Sequence, residues 1–353
     1  MARALEIARN GLYTADPNPR VGCVLVKDGR VVGEGWHVRA GEPHAEPNAL
    51  AAAGGAAAGA SAYVNLEPCN HYGRTPPCAL ALIEAGVARV VYAIDDPNPA
   101  VAGQGAARLR EHGIQVECGL MAPEAEALNA GYLRRRRTGM PLVRVKLAAS
   151  LDGRTALADG ESRWITSKAA RADAQYGRAR SSAVLTGIGT ILADDPALNV
   201  RIPESDRQPL RVVLDSRLRT PSDARVINRE GAVLVLGVHE DAARRQSLER
   251  QGVEVAIVPA LADRPDLAAM LRLLAARDVN EVWVEAGATL AGAFISAGLF
   301  DELVVYIAPT LLGPDARALA GLPPLRQLDE RLRLRFGEVR SVGPDLCVTL
   351  LKD

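Results

Sequence analysis

His44, Cys69 and Cys78 offer one imidazole and two thiols, three protein ligands for a zinc ion. Three ligands leave a fourth tetrahedral position for water, the arrangement of a catalytic rather than a structural site. Glu46 lies two residues past the histidine. It is a carboxylate near that water that ligation does not need. An activated water beside a general acid/base is the machinery for hydrolytic removal of an amino group from a pyrimidine or purine ring. Each part also has an ordinary reading, since His-x-Glu is common and lone cysteines are mostly buried apolar side chains. Together they point to a zinc deaminase centre. The familiar deaminase signature is Pro-Cys-x-x-Cys, whereas eight residues separate Cys69 from Cys78 here.

The second half carries chemistry less densely. Lys27, Lys146, Lys168 and Lys352 are the only lysines of the whole chain, which otherwise uses arginine. Lys146, within the apolar run 143–147, suggests a compact ammonium facing a ligand; the alternative is a solvated edge lysine. Gly187-Ile188-Gly189-Thr190 is a short Gly-rich turn, not a full dinucleotide fingerprint. Gly287-Ala288-Thr289-Leu290 follows a strand ending at Glu285 and looks like a strand-to-helix phosphate cradle. Asp16-Pro17-Asn18-Pro19 recurs as Asp96-Pro97-Asn98-Pro99, which read alone is two tight turns. Trp164 by composition belongs in a core, but its flanks, 161–163 and 166–167, suggest a loop end over a pocket.

These residues need elements to hold them. With 353 residues the chain suggests two domains, each able to bury a core. Hydrophobic content of 48% and charged content of 24% describe a globular protein. Basic and acidic residues balance at 42 each, which argues against nucleic acid or an anionic membrane as partner. Arg134–Arg137 read as a solvated helix end. Five cysteines without a disulfide pattern, no apolar leader and no bilayer-length run imply a cytoplasmic protein.

In the first half, runs 21–26 and 31–36 form a hairpin around Asp28-Gly29. Strands follow at 62–66, 87–94 and 114–118, alternating with helices, which argues for a three-layer α/β sandwich. Pro47 requires His44 to Glu46 to sit at a helix entry, where a proline is tolerated. The boundary falls at 134–141, giving domains 1–140 and 141–353. Beyond it, strands at 142–147, 183–187, 210–214, 232–237, 253–258, 281–285 and 302–308 imply a mostly parallel sheet. The tail, 332–350, adds an antiparallel edge hairpin.

With these segments in view, the chain resembles the bifunctional riboflavin-biosynthesis deaminase/reductase family essentially end to end. The resemblance is carried by 17–24 (PNPRVGCV), 41–46 (GEPHAE), 66–78 (LEPCNHYGRTPPC), 146–154 (KLAASLDGR), 192–201 (LADDPALNVR) and 284–290 (VEAGATL). It implies a cytidine-deaminase-like three-layer α/β/α domain followed by a dihydrofolate-reductase-like α/β domain. The first would remove the 2-amino group of 2,5-diamino-6-ribosylamino-4(3H)-pyrimidinone 5′-phosphate with one zinc ion. The second would reduce the ribosyl group to ribityl with NADPH.

The resemblance places Asn18, His37, His71, Arg74, Asp96 and Asn98 in the pyrimidine–ribose-phosphate pocket. It gives Lys146, Ser162, Arg178, Leu198, Arg201 and Glu285 to the reductase substrate, with Arg178 and Arg201 as partners for its phosphate. Ala148, Trp164, Thr190, Asp194 and the run Gly287, Ala288, Thr289, Leu290, Ala291, Gly292, Ala293 would contact NADPH. It also implies a homodimer or homotetramer. Two readings compete with this one. One is a deaminase of another amino-pyrimidine or nucleotide whose second domain only binds ligand. The other is a structural-zinc module binding RNA through Arg134–Arg137.

Overall fold

The computed structural model describes residues 1–72, 76–99 and 101–352, and the chain divides into two compact units, 1–140 and 141–353. No helix among the described residues is long and apolar enough to cross a membrane.

In the first unit, β1 (Gly22–Lys27) and β2 (Arg30–Trp36) form an antiparallel hairpin, with Asp28 and Gly29 both at positive φ in the turn. Left-handed conformations at both central positions match the right-handed strand twist, which is why Asp-Gly closes this loop. β3 (Ser61–Val64) pairs antiparallel with β1. β4 (Arg89–Tyr92) and β5 (Gln115–Cys118) then continue the sheet in parallel. The strand order is β2-β1-β3-β4-β5.

Six helices accompany this sheet: α1 (Ala2–Ala8), α2 (Ala45–Ala53), α3 (Cys78–Glu84), α4 (Gln104–Glu111), α5 (Ala122–Leu128) and α6 (Ala130–Thr138). Leu25, Val64, Leu82, Val90 and Leu109 are buried together in the core. Gly33 and Gly35 of β2 let α2 lie directly on the hairpin; a Cβ at either would come within 2.3 to 2.4 Å of helix backbone. Pro47 falls in the first turn of α2, as the sequence required. Arg135 departs from expectation. It is buried rather than solvated, because α6 turns that side of its basic run toward the unit's interior.

The second unit is built on a nine-stranded sheet. Its elements in chain order begin with β6 (Leu142–Ser150), β7 (Arg154–Ala156), α7 (Lys168–Arg180), β8 (Ala183–Gly187) and α8 (Ile188–Asp194). They continue through β9 (Leu210–Leu214), β10 (Val233–Gly237), α9 (Ala242–Glu249) and β11 (Glu254–Ile257). A small ladder, β12 (Ala260–Leu261) and β13 (Arg264–Pro265), precedes α10 (Leu267–Ala276), β14 (Glu281–Glu285) and α11 (Ala288–Ser296). β15 (Glu302–Ala308), β16 (Arg317–Ala318), β17 (Leu334–Val342) and β18 (Asp345–Lys352) complete it.

The order is β11-β10-β9-β8-β14-β6-β15-β18-β17. Seven strands run parallel, and the terminal hairpin joins antiparallel at one edge. The central strands are continuous apolar runs because helices cover both faces. One exception is Arg144 in β6, buried and satisfied by Glu281 of β14 and Glu302 of β15 on either side. The ends of β6, β8, β9 and β14 open onto a cleft, where ligands bind in parallel α/β sheets.

Candidate active sites

In the first unit, β3 runs out into the segment carrying Cys69, and α3 begins at Cys78 after the Pro76-Pro77 pair. His44 is the N-cap residue of α2, so its ring projects from a helix start. These three elements bring Nδ1 of His44 to 3.2 Å from Cys78 Sγ and 3.6 Å from Cys69 Sγ. All three ligand atoms lie within 4.8 Å of one another, so one ion can touch them all. One imidazole and two thiolates is a zinc donor set, and the arrangement fits the metal. The Cys78 backbone N–H donates to Cys69 Sγ at 3.4 Å. Thiolates are favoured at such a helix start. The thiols of Cys69 and Cys78 share a hydrogen bond that brings Cys69 down to about 4 and pushes Cys78 up.

Glu46 sits in the first turn of α2 and is only 3% exposed. Burial pushes its carboxyl up, and the Cys69 thiolate adds to this. A carboxyl so placed can hold a proton and hand it on.

His37 stands beside the trio, its ring edge-on to His44 with centroids 5.2 Å apart. Its Nδ1 lies 3.1 Å from the Pro43 carbonyl and its Nε2 lies 3.0 Å from Asn18 Nδ2. An Nδ1–H donating to the carbonyl and an Nε2 accepting from the amide satisfy both ring nitrogens. Burial lowers its pKa, consistent with a neutral ring. His71 is half-buried, and its Nδ1 has no hydrogen-bond partner among the described residues. Arg74 lies outside the described residues.

Asp96 is buried in the segment that follows β4, where its carboxylate accepts from the Asn98 N–H at 2.9 Å and from Tyr132 Oη at 3.0 Å. The sequence reading missed Tyr132, and it missed Glu67. Glu67 is buried and accepts from Gly103 N at 3.0 Å and Ala106 N at 3.2 Å at the start of α4. Gly105 completes that contact, since a Cβ there would lie 1.8 Å from the Pro68 carbonyl oxygen. Helix α4 is therefore seated against the residue preceding a zinc ligand. An acidic residue just before Pro-Cys was the available signal for Glu67; nothing local marks Tyr132.

The second unit's cleft has a volume of about 1450 Å³. Lys146 of β6 and Glu285 of β14 are register partners on adjacent strands, so both face the same opening. Arg178, near the end of α7, donates from Nε and Nη2 to the two Glu285 oxygens at 2.6 and 2.7 Å, and from Nη1 to the Asn199 carbonyl. Trp283 Nε1 adds a further donor to Glu285 at 2.8 Å. Burial alone would raise the Glu285 carboxyl, but Arg178 outweighs it and holds it down to about 2. Burial lowers the Lys146 ammonium, with Glu285 opposing that shift.

Ser162, Leu198 and Arg201 also line the cleft. Leu198 has φ of 52°, an uncommon conformation for a branched side chain. Its surroundings fix it: Gln208 takes both the N–H and the carbonyl of Val200, and Gln175 accepts from Arg201 N. Ala148, Trp164, Thr190 and Asp194 lie on the wall as well. Trp164 is 68% exposed, with the Arg171 guanidinium 4.0 Å from its ring centroid, so it is no core residue.

The run 287–293 is not one continuous contact surface. Gly287, Ala288, Thr289, Leu290 and Ala293 line the cleft, whereas Ala291 is buried and Gly292 abuts the backbone of Gly321. The helical period turns those two away. Arg178, which the resemblance gives to the substrate phosphate, lines the cleft with its guanidinium held by Glu285 and Asn199. Cleft residues that sequence reasoning missed include Arg171, Ser216, Arg225 and Arg229, which come from segments without a local motif.

Residues 1–94 match the family described as the cytidine and deoxycytidylate deaminase zinc-binding region, and residues 141–348 match the RibD C-terminal domain. Riboflavin biosynthesis protein RibD of Escherichia coli (strain K12) is 52% identical over 99% of this chain and 98% of its own length. That of Haemophilus influenzae is 49% identical over 99% of this chain and 95% of its own. Among solved structures, Acinetobacter baumannii RibD superposes with a TM-score of 0.93 at 46% identity, covering 100% of this chain and 97% of that one. A Thermotoga maritima diaminohydroxyphosphoribosylaminopyrimidine deaminase/5-amino-6-(5-phosphoribosylamino)uracil reductase does so with a TM-score of 0.88 at 33% identity, with the same coverage. Matches of this extent, on the zinc trio and on the cleft-bearing unit alike, show that the chain belongs to the riboflavin biosynthesis protein RibD family.

Proposed function

We propose that the two units divide two successive reactions, residues 1–140 performing the hydrolytic one and residues 141–353 the reductive one. The chain is a bifunctional deaminase and reductase of riboflavin biosynthesis, with zinc and NADPH as its cofactors. The convergence of His44, Cys69 and Cys78, with Glu46 buried beside them, is the observation that carries the deaminase assignment.

His44, Cys69 and Cys78 would hold the zinc ion, which when bound lowers the pKa of a water ligand toward ~7. Glu46 accepts the proton that this water gives up as its oxygen adds to the amino-bearing ring carbon. The same carboxyl passes that proton to the ring nitrogen, then takes the proton of the newly added hydroxyl and delivers it to the amino group, so that the carbonyl forms, the C–N bond breaks and ammonia leaves. His71 and Asn18 supply polar groups for the pyrimidine, and His37 fixes Asn18. The unpartnered Nδ1 of His71 supports its facing a ligand.

In the reductase unit, Trp164, Thr190, Asp194 and the start of α11 would hold NADPH, which when bound would supply the hydride for reduction of the ring-opened ribosyl imine at its anomeric carbon. Lys146 sets a positive charge beside that centre and donates the proton taken up by the imine nitrogen. Glu285, ionised by Arg178, orients Lys146. Trp164 and the start of α11 form the cofactor wall, where backbone N–H groups suit a pyrophosphate.

A homo-oligomer, dimer or tetramer, fits the exposed Phe336 and Val339 on edge strand β17, and light scattering on the purified protein checks it. A cytoplasmic setting fits five free thiols. The deciding experiment follows ammonia release and NADPH oxidation together on 2,5-diamino-6-ribosylamino-4(3H)-pyrimidinone 5′-phosphate, with zinc measured on the same sample. Ammonia release without NADPH oxidation would favour the ligand-binding alternative for the second unit.

A further inference from the structure

Of the chain's four lysines, Lys146 is the one that lines the second unit's cleft. The carboxylate beside it is engaged elsewhere: both Glu285 oxygens accept from Arg178, and one also accepts from Trp283 Nε1. Among the described residues no side chain hydrogen-bonds the Lys146 ammonium. What faces it is the Tyr306 ring, whose centroid lies 5.7 Å from Nζ. A cation at that distance over an aromatic face is attracted by the ring quadrupole, more strongly where water is excluded.

The sheet sets this neighbourhood. β15 runs parallel beside β6, with Val304 opposite Lys146 and Tyr306 opposite Ala148. Positions two apart on a strand share a face, so the ring stands one step along from the ammonium. Helix α7 covers the same face, where Ala170 and Ala174 pack in one cluster with Val304, Tyr306 and Trp283. Tyr306 is 2% exposed and does not line the cleft, so it touches no ligand there. Burial and the Asp173 hydrogen bond push its phenol up, so it is no proton source either.

The far end of the ring is pinned. Its hydroxyl donates to Asp173 Oδ2 at 2.6 Å, and Asp173 accepts both arms of Arg340, at 2.9 and 2.6 Å. Tyr306, Cys347 and Arg340 are register partners across β15, β18 and β17, and Asp173 reaches that row from α7. A core tyrosine needs one partner for its hydroxyl. Here the partner is itself locked by a two-armed guanidinium, which holds the ring in place as well as satisfying it.

We propose that Tyr306 is the positioning residue of Lys146, its ring face holding the ammonium at the cleft wall. Burial lowers the ammonium, Glu285 of β14 opposes that shift and Arg178 of α7 adds to it. The ring, from β15, works with Glu285 because its quadrupole favours the charged form. For its catalytic consequence the proposal rests on the reading of Lys146 as the proton donor in reduction.

The test grades the ring face while nearly preserving its size. In full-length protein Y306F is the reference, and phenylalanines carrying one, two and three ring fluorines replace Tyr306 in turn. Each fluorine draws charge away from the ring face. Circular dichroism and unchanged ammonia release verify folding. Lys146 is titrated directly, by trace acetylation across pH and mass spectrometry of its peptide, so the readout does not depend on turnover. Its midpoint should fall stepwise, by about one pH unit over the series, and the alkaline limb of kcat should move with it. A midpoint that stays fixed across the series would overturn the proposal, because a ring that only fills space is indifferent to its charge. A moving midpoint with an unmoved kcat limb would keep the ring contact and instead overturn Lys146 as the proton donor.

Discussion

Arg178 and Glu285, 107 positions apart, form a two-armed ion pair with both N–O distances below 2.8 Å. The pair joins the end of α7 to the end of β14 at the cleft, and Lys146 is the register partner of its carboxylate. Gly177 allows the approach, since a Cβ there would lie 2.6 Å from the Trp283 ring. One contact therefore fixes a helix end and keeps a carboxylate charged in a half-buried setting.

Glu285 has its carboxyl depressed from the ordinary 4.5 to about 2, so its stabilising effect is complete above the unfolded value. It is lost as pH falls from about 4.5 toward 2, a contribution of roughly 3 kcal/mol at neutral pH. The E285Q variant should unfold at lower urea than wild type at pH 7, and the gap should shrink at pH 3.5. A gap of constant size across that range would contradict the pairing.

Lys146 has its ammonium lowered from 10.5 by burial. If it donates the proton in reduction, kcat should fall as pH rises through that lowered value, because the acid form is lost. The K146M variant should lose roughly 100-fold in kcat and show no such alkaline limb. A wild-type limb that persists in K146M assigns the proton to another group.

In the proposed mechanism Glu46 transfers protons and does not ligate the metal. E46Q should keep a full zinc complement while ammonia release drops by roughly 100- to 10,000-fold. NADPH oxidation on already deaminated substrate should be untouched. Retained deamination with normal zinc would remove Glu46 from the mechanism.

Chelation should separate the two activities. Stripping zinc with 1,10-phenanthroline should abolish ammonia release while leaving reduction of deaminated substrate intact, and restored zinc should return the first activity. Rebinding should release protons, because the neutral Cys78 thiol must ionise to ligate. Parallel loss of both activities would contradict the division of labour between the units.

Gly105 tests how the zinc site is supported. A methyl group there would meet the Pro68 carbonyl at 1.8 Å, so G105A must displace either α4 or the segment leading into Cys69. A cost of about 1–3 kcal/mol is expected, together with reduced zinc content per chain. A variant with unchanged melting temperature and full zinc would show that the segment yields freely.

The sequence by itself determined the zinc-ligand trio, the candidate acid/base carboxylate, the two-unit division of strands and helices, and the resemblance that named two reactions. These are local properties: Asp-Gly requires its turn, Pro47 its helix entry, and alternating or continuous apolar runs their strands. Tertiary structure alone decided which distant residues share a cavity. It brought His44 within 3.2 Å of Cys78, set Glu67 as the cap of α4, joined Arg178 to Glu285 and turned Ala291 and Gly292 away from the cleft. It also brought Arg201, Arg225 and Arg229 onto the wall of one cleft, which no spacing predicts. The physical reason is that strand order carries no local pattern. β14 lies between β8 and β6 although nearly a hundred residues of chain separate β14 from β8, and only the packed sheet states that adjacency.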